Sequence, residues 1–114
     1  MADCIFCRIA NKDIPSQVVY EDELVMAFRD LNPQAPVHVL IIPKQHLADV
    51  TEIEAAHPLF AARLLRVARD LARQEGVAEG GFRLVVNTGA DGGQTVPHLH
   101  VHLLGGRALG WPPG

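Results

Sequence analysis

The stretch VPHLHVHLL, residues 96–104, carries His98, His100 and His102, half of the six histidines in the chain. Side chains two apart in a strand share a face. Read as a strand, the stretch sets three imidazoles on one side and Leu99, Val101 and Leu103 on the other. A helix would scatter them, because its surface neighbours are three or four residues apart. One face is then core and the other polar. Imidazole can act as a nucleophile, as an acid or base, or as a metal ligand. A half-exposed strand whose histidines have no task is the bland alternative, and three in strict register weigh against it.

The loop before them, TGADGGQTVP (88–97), adds a second signal. Gly89, Gly92 and Gly93 let the backbone approach a ligand closely, and successive N–H groups can form an anion-binding nest. Gln94 and Thr95 supply hydrogen-bonding side chains. Such glycines more often mean only a flexible hairpin loop. Leading straight into aligned histidines, they suggest an anion beside imidazoles, most simply a phosphate.

Cys4 and Cys7 make a third constellation, Cys-x-x-Cys. It reads as a metal half-site or a redox pair rather than a structural disulfide if the chain is intracellular, and two buried small apolar residues are the plain alternative. Two zinc arrangements compete. His98, His100 and His102 could build an open catalytic site, which leaves Cys4, Cys7 and His46 without a role. A Cys2His2 set of Cys4, Cys7, His46 and His98 would be closed and structural, and it frees His100 and His102 for other chemistry.

These residues need a scaffold. VVY (18–20) and LVMAFRD (24–30) around an acidic turn give a hairpin signal, and VHVLIIP (37–43) reads as a third strand. From Pro58 to Glu75 the period changes to helical, with Phe60, Leu64, Val67 and Leu71 as an apolar stripe and Gly76 as a stop. His57 reads as a residue of the approach to that helix. FRLVVN (82–87) and HLHVHLL form a second hairpin. Antiparallel strands covered by one long helix, with a short N-terminal helical segment, predict an α+β fold.

With 114 residues, 48% hydrophobic and 20% charged, the chain predicts a single globular domain over residues 1–114. A net charge of −3 gives no reason to expect nucleic acid or an anionic membrane as partner. No apolar run approaches a bilayer span, and MADCIFCRIA lacks a signal peptide's apolar stretch, so a cytoplasmic location is expected.

The sequence resembles the histidine triad nucleotide-binding family, in its purine nucleoside phosphoramidase branch. HLHVHLL, the preceding VVNTGADGGQTVPH, FRDLNPQAPVHVLIIPKQH and the closing LGGRALGWPPG carry the likeness. The resemblance implies a HIT-like fold with a meander sheet of about five strands, and a homodimer whose sheet continues between subunits. It implies a purine nucleoside monophosphate or its phosphoramidates as ligand, and hydrolysis of the phosphorus–nitrogen bond through a nucleotidyl-histidine. By the same resemblance His100 is the nucleophile, His102 contacts phosphate, and His38 packs beside the nucleophile. Asp30 and Leu31 fall at the ribose, and Asn87, Gly93, Gln94 and Thr95 at the phosphate and leaving group. Cys4, Cys7, His46 and His98 match a structural zinc set, one ion per chain, with no catalytic metal. Asp30 could equally cap the turn made by Asn32 and Pro33, and the two roles are compatible. The tail with Trp111, in family members, crosses to the partner's site. A dinucleoside polyphosphate hydrolase, or a nucleotide-binding regulator with incidental hydrolysis, are the alternatives.

Overall fold

The computed structural model describes residues 4–114. A short helix α1 (Ile5–Ala10) precedes strands β1 (Val18–Glu21), β2 (Val25–Arg29) and β3 (Val37–Pro43). Helix α2 (Phe60–Gln74) follows, then β4 (Phe82–Val85) and β5 (Val101–Gly105). The strands form one antiparallel sheet in the order β1-β2-β3-β5-β4. It meanders through β1, β2 and β3. After α2 the chain returns at the far edge, so β5 rather than β4 pairs with β3.

Local chemistry explains the joints. Asp22 closes the first hairpin, its Oδ1 accepting the N–H groups of Leu24 and Val25 at 2.8 Å each. Asp49 caps an unforeseen 3₁₀ turn at Val50–Ala55 by accepting from the Thr51 N–H at 2.8 Å. Pro58 stands in the turn before α2 rather than in its first turn. There His57 accepts the Leu59 N–H on Nδ1 and the Phe60 N–H on its carbonyl, at 3.1 and 2.8 Å. Gly76, at φ +77°, ends the helix as its sequence position predicts. The Arg29 guanidinium grips Glu75 through contacts of 2.6 and 3.2 Å, tying β2 to the end of α2.

Strand alternation sorts the core into two layers. Val25, Ala27, Val39, Ile41, Val101 and Leu103 face α2 and meet Phe60, Leu64, Val67 and Leu71. The opposite face is not simply polar, as the histidine strand suggested. Phe6 and Ile9 of α1 cover Met26, Phe28, Leu40 and Ile42 there, making a second apolar cluster. His98, His100 and His38 are buried on that side.

The histidine strand also begins later than its pattern implies. Ladder pairing starts at Val101, and His98 lies in a bend. Pro97 has no N–H to give a ladder. The next two N–H groups go elsewhere, His98 to the Val96 carbonyl at 2.8 Å and Leu99 to the Leu47 carbonyl at 2.7 Å. Alternation of faces nevertheless holds through Leu99, which is buried among the α2-facing residues.

Candidate active site and metal centre

A pocket of about 260 Å³ opens on the histidine face. Register builds its floor. Phe28 pairs with Leu40, and Leu40 pairs with His102, so the three lie in one row across β2, β3 and β5. Ile5, Phe6 and Ile9 of α1 form a wall, and Asp30, Leu31, Thr95 and His100 are among the other lining residues. One side is an apolar slot; the other carries imidazoles and a carboxylate.

The imidazole tautomers follow from their partners. His100 Nδ1 lies 2.7 Å from the His98 carbonyl, a contact that needs a proton on Nδ1. The lone pair of His100 is therefore on Nε2. His38 accepts the Gln34 N–H on Nδ1 at 3.0 Å, which leaves its own proton on Nε2. That proton is donated to His102 Nδ1, 2.9 Å away. His102 then carries its proton on Nε2, as a donor. A main-chain amide thus sets the polarity of two side chains in series.

Electrostatics keep this chain neutral. Burial, helped by the neighbouring His100 and His38, pushes the His102 pKa down to about 4, with Asp30 pulling the other way. His38 is lowered by burial too, against the same carboxylate. Asp30 Oδ2 lies 3.5 Å from His38 Nε2, and Asp30 Oδ1 accepts the Asn32 N–H at 2.8 Å. The aspartate is at once a turn cap and part of the pocket lining.

Not all of the expected residues meet in the pocket. Asp30, Leu31, Thr95, His100 and His102 do, with His38 directly behind His102. Asn87 and Gly93 belong to the strand exit and the loop and are not part of its lining. Gln94 spends its amide on the loop itself. Its Oε1 accepts the Gly89 N–H at 3.0 Å, and its Nε2 donates to the carbonyls of Ala48 and Val96 at 2.8 and 3.0 Å. The loop is tight: a Cβ on Gly92 would lie 2.3 Å from the Thr88 carbonyl oxygen, and Gly93 takes φ +78°.

A second cluster sits beneath α1. Cys4, Cys7, His46 and His98 each offer one ligand atom, all within 4.8 Å of one another. Cys4 Sγ lies 3.2 Å from His98 Nδ1; Cys7 Sγ lies 3.2 Å from His46 Nδ1 and 3.5 Å from His98 Nδ1. Sulfur at about 2.3 Å and nitrogen at about 2.0–2.1 Å from a tetrahedral zinc are separated by about 3.5 Å. The set is already close to that spacing. His98 Nε2 donates to the Pro43 carbonyl at 2.9 Å, which frees Nδ1 to ligate and holds the ring in place. Burial raises the Cys7 thiol, with Cys4 adding to the effect, so Cys7 holds its proton until a cation displaces it, and zinc would bind with release of that proton.

A family model, the HIT domain, matches residues 11–109. The chain belongs to the HIT domain family. This HIT domain is 51% identical over 108 residues to the purine nucleoside phosphoramidase of Escherichia coli strain K12, covering 95% of this chain and 91% of that protein. It is 55% identical over 112 residues to the 14 kDa zinc-binding protein of Zea mays, covering 96% and 87% of the two chains. The solved HIT family hydrolase from Legionella pneumophila Philadelphia 1 matches with TM-score 0.94 at 50% identity, over 98% of this chain and 100% of that one. The α+β architecture of this HIT domain is thereby established, and its Cys2His2 cluster suits zinc.

Sequence reasoning overlooked the apolar half of the site. Phe6, Ile9, Phe28 and Leu40 line it. The signals were present: Ile5, Phe6 and Ile9 share a helical face, and Met26/Phe28 and Leu40/Ile42 alternate away from α2.

Proposed function

We propose that this HIT domain hydrolyses purine nucleoside phosphoramidates through a nucleotidyl-His100 intermediate. The observation that carries the reading is the 2.7 Å contact from His100 Nδ1–H to the His98 carbonyl, in a ring that also lines the pocket. It presents Nε2 as a fixed nucleophile. The apolar slot suits a flat base, and Asp30, on the pocket lining, would accept from ribose hydroxyls.

In the first step the Nε2 lone pair attacks phosphorus, the phosphorus–nitrogen bond breaks, and the amine leaves with a proton from solvent. Positive charge then develops on the His100 ring, where the His98 carbonyl stabilises it. His102 Nε2–H and Thr95 are suited to donate to phosphoryl oxygens, while the Gly93 and Gln94 backbone shapes the loop that follows β4 and Asn87. Water next attacks phosphorus, the bond to His100 Nε2 breaks, and the water gives a proton to solvent, releasing the nucleoside monophosphate and restoring neutral His100. Two displacements replace one harder one. Zinc at Cys4, Cys7, His46 and His98 would hold structure and take no part in these steps.

The relative named purine nucleoside phosphoramidase supports the substrate class. Incubation with an adenosine phosphoramidate and with a dinucleoside polyphosphate tests it, and the former should turn over faster. His100→Ala should abolish turnover while changing AMP affinity by less than about tenfold, roughly 1.4 kcal/mol. Turnover surviving in that variant, or faster cleavage of the polyphosphate, refutes the reading.

The working unit in this reading is a homodimer in the cytoplasm. The outer edge of β4 is unpaired, and Phe82 beside it and Leu65 on α2 are exposed, which supports pairing between copies. No helix among the described residues is long and apolar enough to cross a membrane. Light scattering at twice the chain mass checks the dimer.

A further inference from the structure

Among the described residues, the side chain that touches both centres through its ring is Phe6. It stands between Cys4 and Cys7 in sequence, at the start of α1. Its ring meets His98 edge-on at 5.8 Å and His100 edge-on at 5.1 Å, and packs on Phe28 at 5.5 Å. Phe6 is only 6% exposed, yet it lines the pocket. One ring therefore contacts a metal ligand, the nucleophile and the apolar slot.

The helix that carries it is weak by itself. α1 has six residues, whereas isolated helices shorter than about 12–15 residues are marginal in water. At its N-terminus the only side-chain cap among the described residues is Cys4 Sγ accepting the Cys7 N–H at 3.4 Å. Both residues are zinc ligands in the arrangement above. A bound ion would join the start of α1 to His46, just beyond β3, and to His98 in the bend before β5. It would fix the wall of the pocket from behind. His98 adds a second connection, since its carbonyl orients the His100 ring.

We propose that Phe6 is a positioning residue that couples the zinc centre to the nucleotide site, so that metal and nucleotide strengthen each other's binding. The proposal rests on the functional reading above for the identity of the nucleotide. It differs from a purely structural zinc in a measurable way. A structural ion raises stability and leaves the affinity of the folded protein for nucleotide unchanged. Coupling between two sites is reciprocal, so the factor by which zinc tightens AMP equals the factor by which AMP tightens zinc.

The test uses the full chain and AMP as probe. AMP affinity is measured by calorimetry for the zinc-loaded protein and for the chelated protein at a temperature where it stays folded. Zinc affinity is measured by chelator competition with and without saturating AMP. About tenfold tightening in both directions is expected, within the usual range of coupling between sites. Phe6→Leu should keep one zinc per chain while the coupling falls to within about twofold. Cobalt in place of zinc gives a spectroscopic check that needs no metal-free protein. AMP should shift the visible band of the cobalt-loaded wild type but not that of cobalt-loaded Phe6→Leu. Equal AMP affinity with and without metal, or no cobalt shift in the wild type, overturns the proposal. Failure of the loaded wild type to bind AMP at all would instead remove the functional reading on which it stands, and the proposal with it.

Discussion

Acid should destabilise this fold through a group inside the site. Burial, His100 and His38 push the His102 pKa down to about 4, while in an unfolded chain the same ring titrates near 6.5. Between those values the unfolded state binds a proton that the folded state refuses. Because the folded pKa is the lower one, this contribution is whole above about pH 6.5 and is lost as the pH falls toward about 4. From the two pKa values the loss at pH 5 is about 2 kcal/mol, and about 3.4 kcal/mol once complete. His102→Asn removes the titrating ring but keeps an acceptor for the His38 Nε2–H. Urea denaturation of both proteins at pH 7.5 and pH 5 isolates the effect, because every other titratable side chain is common to the two. The wild type should lose about 2 kcal/mol more than the variant over that interval. Equal losses would refute the neutral, half-buried His102 derived from the structure.

Cys4→Ser combined with Cys7→Ser should remove bound zinc and cost a few kcal/mol, roughly 10 °C in Tm, seen by metal analysis and calorimetry together. Asp30→Asn should weaken AMP about 10- to 100-fold, the worth of a hydrogen bond to a charged group, yet leave affinity for a 2′,3′-dideoxy analogue unchanged. Trp111 is 84% exposed, and deleting Trp111 to Gly114 should alter selectivity among leaving amines more than AMP affinity. Light scattering on that truncated chain should still report the dimer, since four residues are a small part of the inferred contact.

Where the sequence pattern was regular, the fold was legible. The stripe of Phe60, Leu64, Val67 and Leu71 located α2 to within two residues, because an amphipathic helix must repeat its apolar face. The paired cysteines and the His-x-His-x-His stretch likewise pointed to two centres, and His46 and His98 do meet the thiols. Strand alternation predicted the faces of β5 correctly but not its beginning, since Pro97 and the Leu47 carbonyl decide where pairing starts. That is a tertiary contact, invisible to local periodicity. Gln94 shows the same limit from another side: its amide is consumed by Gly89, Ala48 and Val96, partners on two separate loops. Phe6 looked like one more apolar residue between cysteines until the sheet brought both histidines against it.

The Gln34 N–H at the head of the His38–His102 series has one more implication. Every other member of that series is a side chain, replaceable by a single codon. Its first member is main chain, shared by nineteen of the twenty amino acids. The direction of the proton-bearing edges is therefore insulated from almost all substitution at position 34, and proline alone, having no N–H, would erase it. Positions 33 and 36 are prolines and position 34 is not. The instruction that orients the site is written in the backbone, where mutation has very little to act upon.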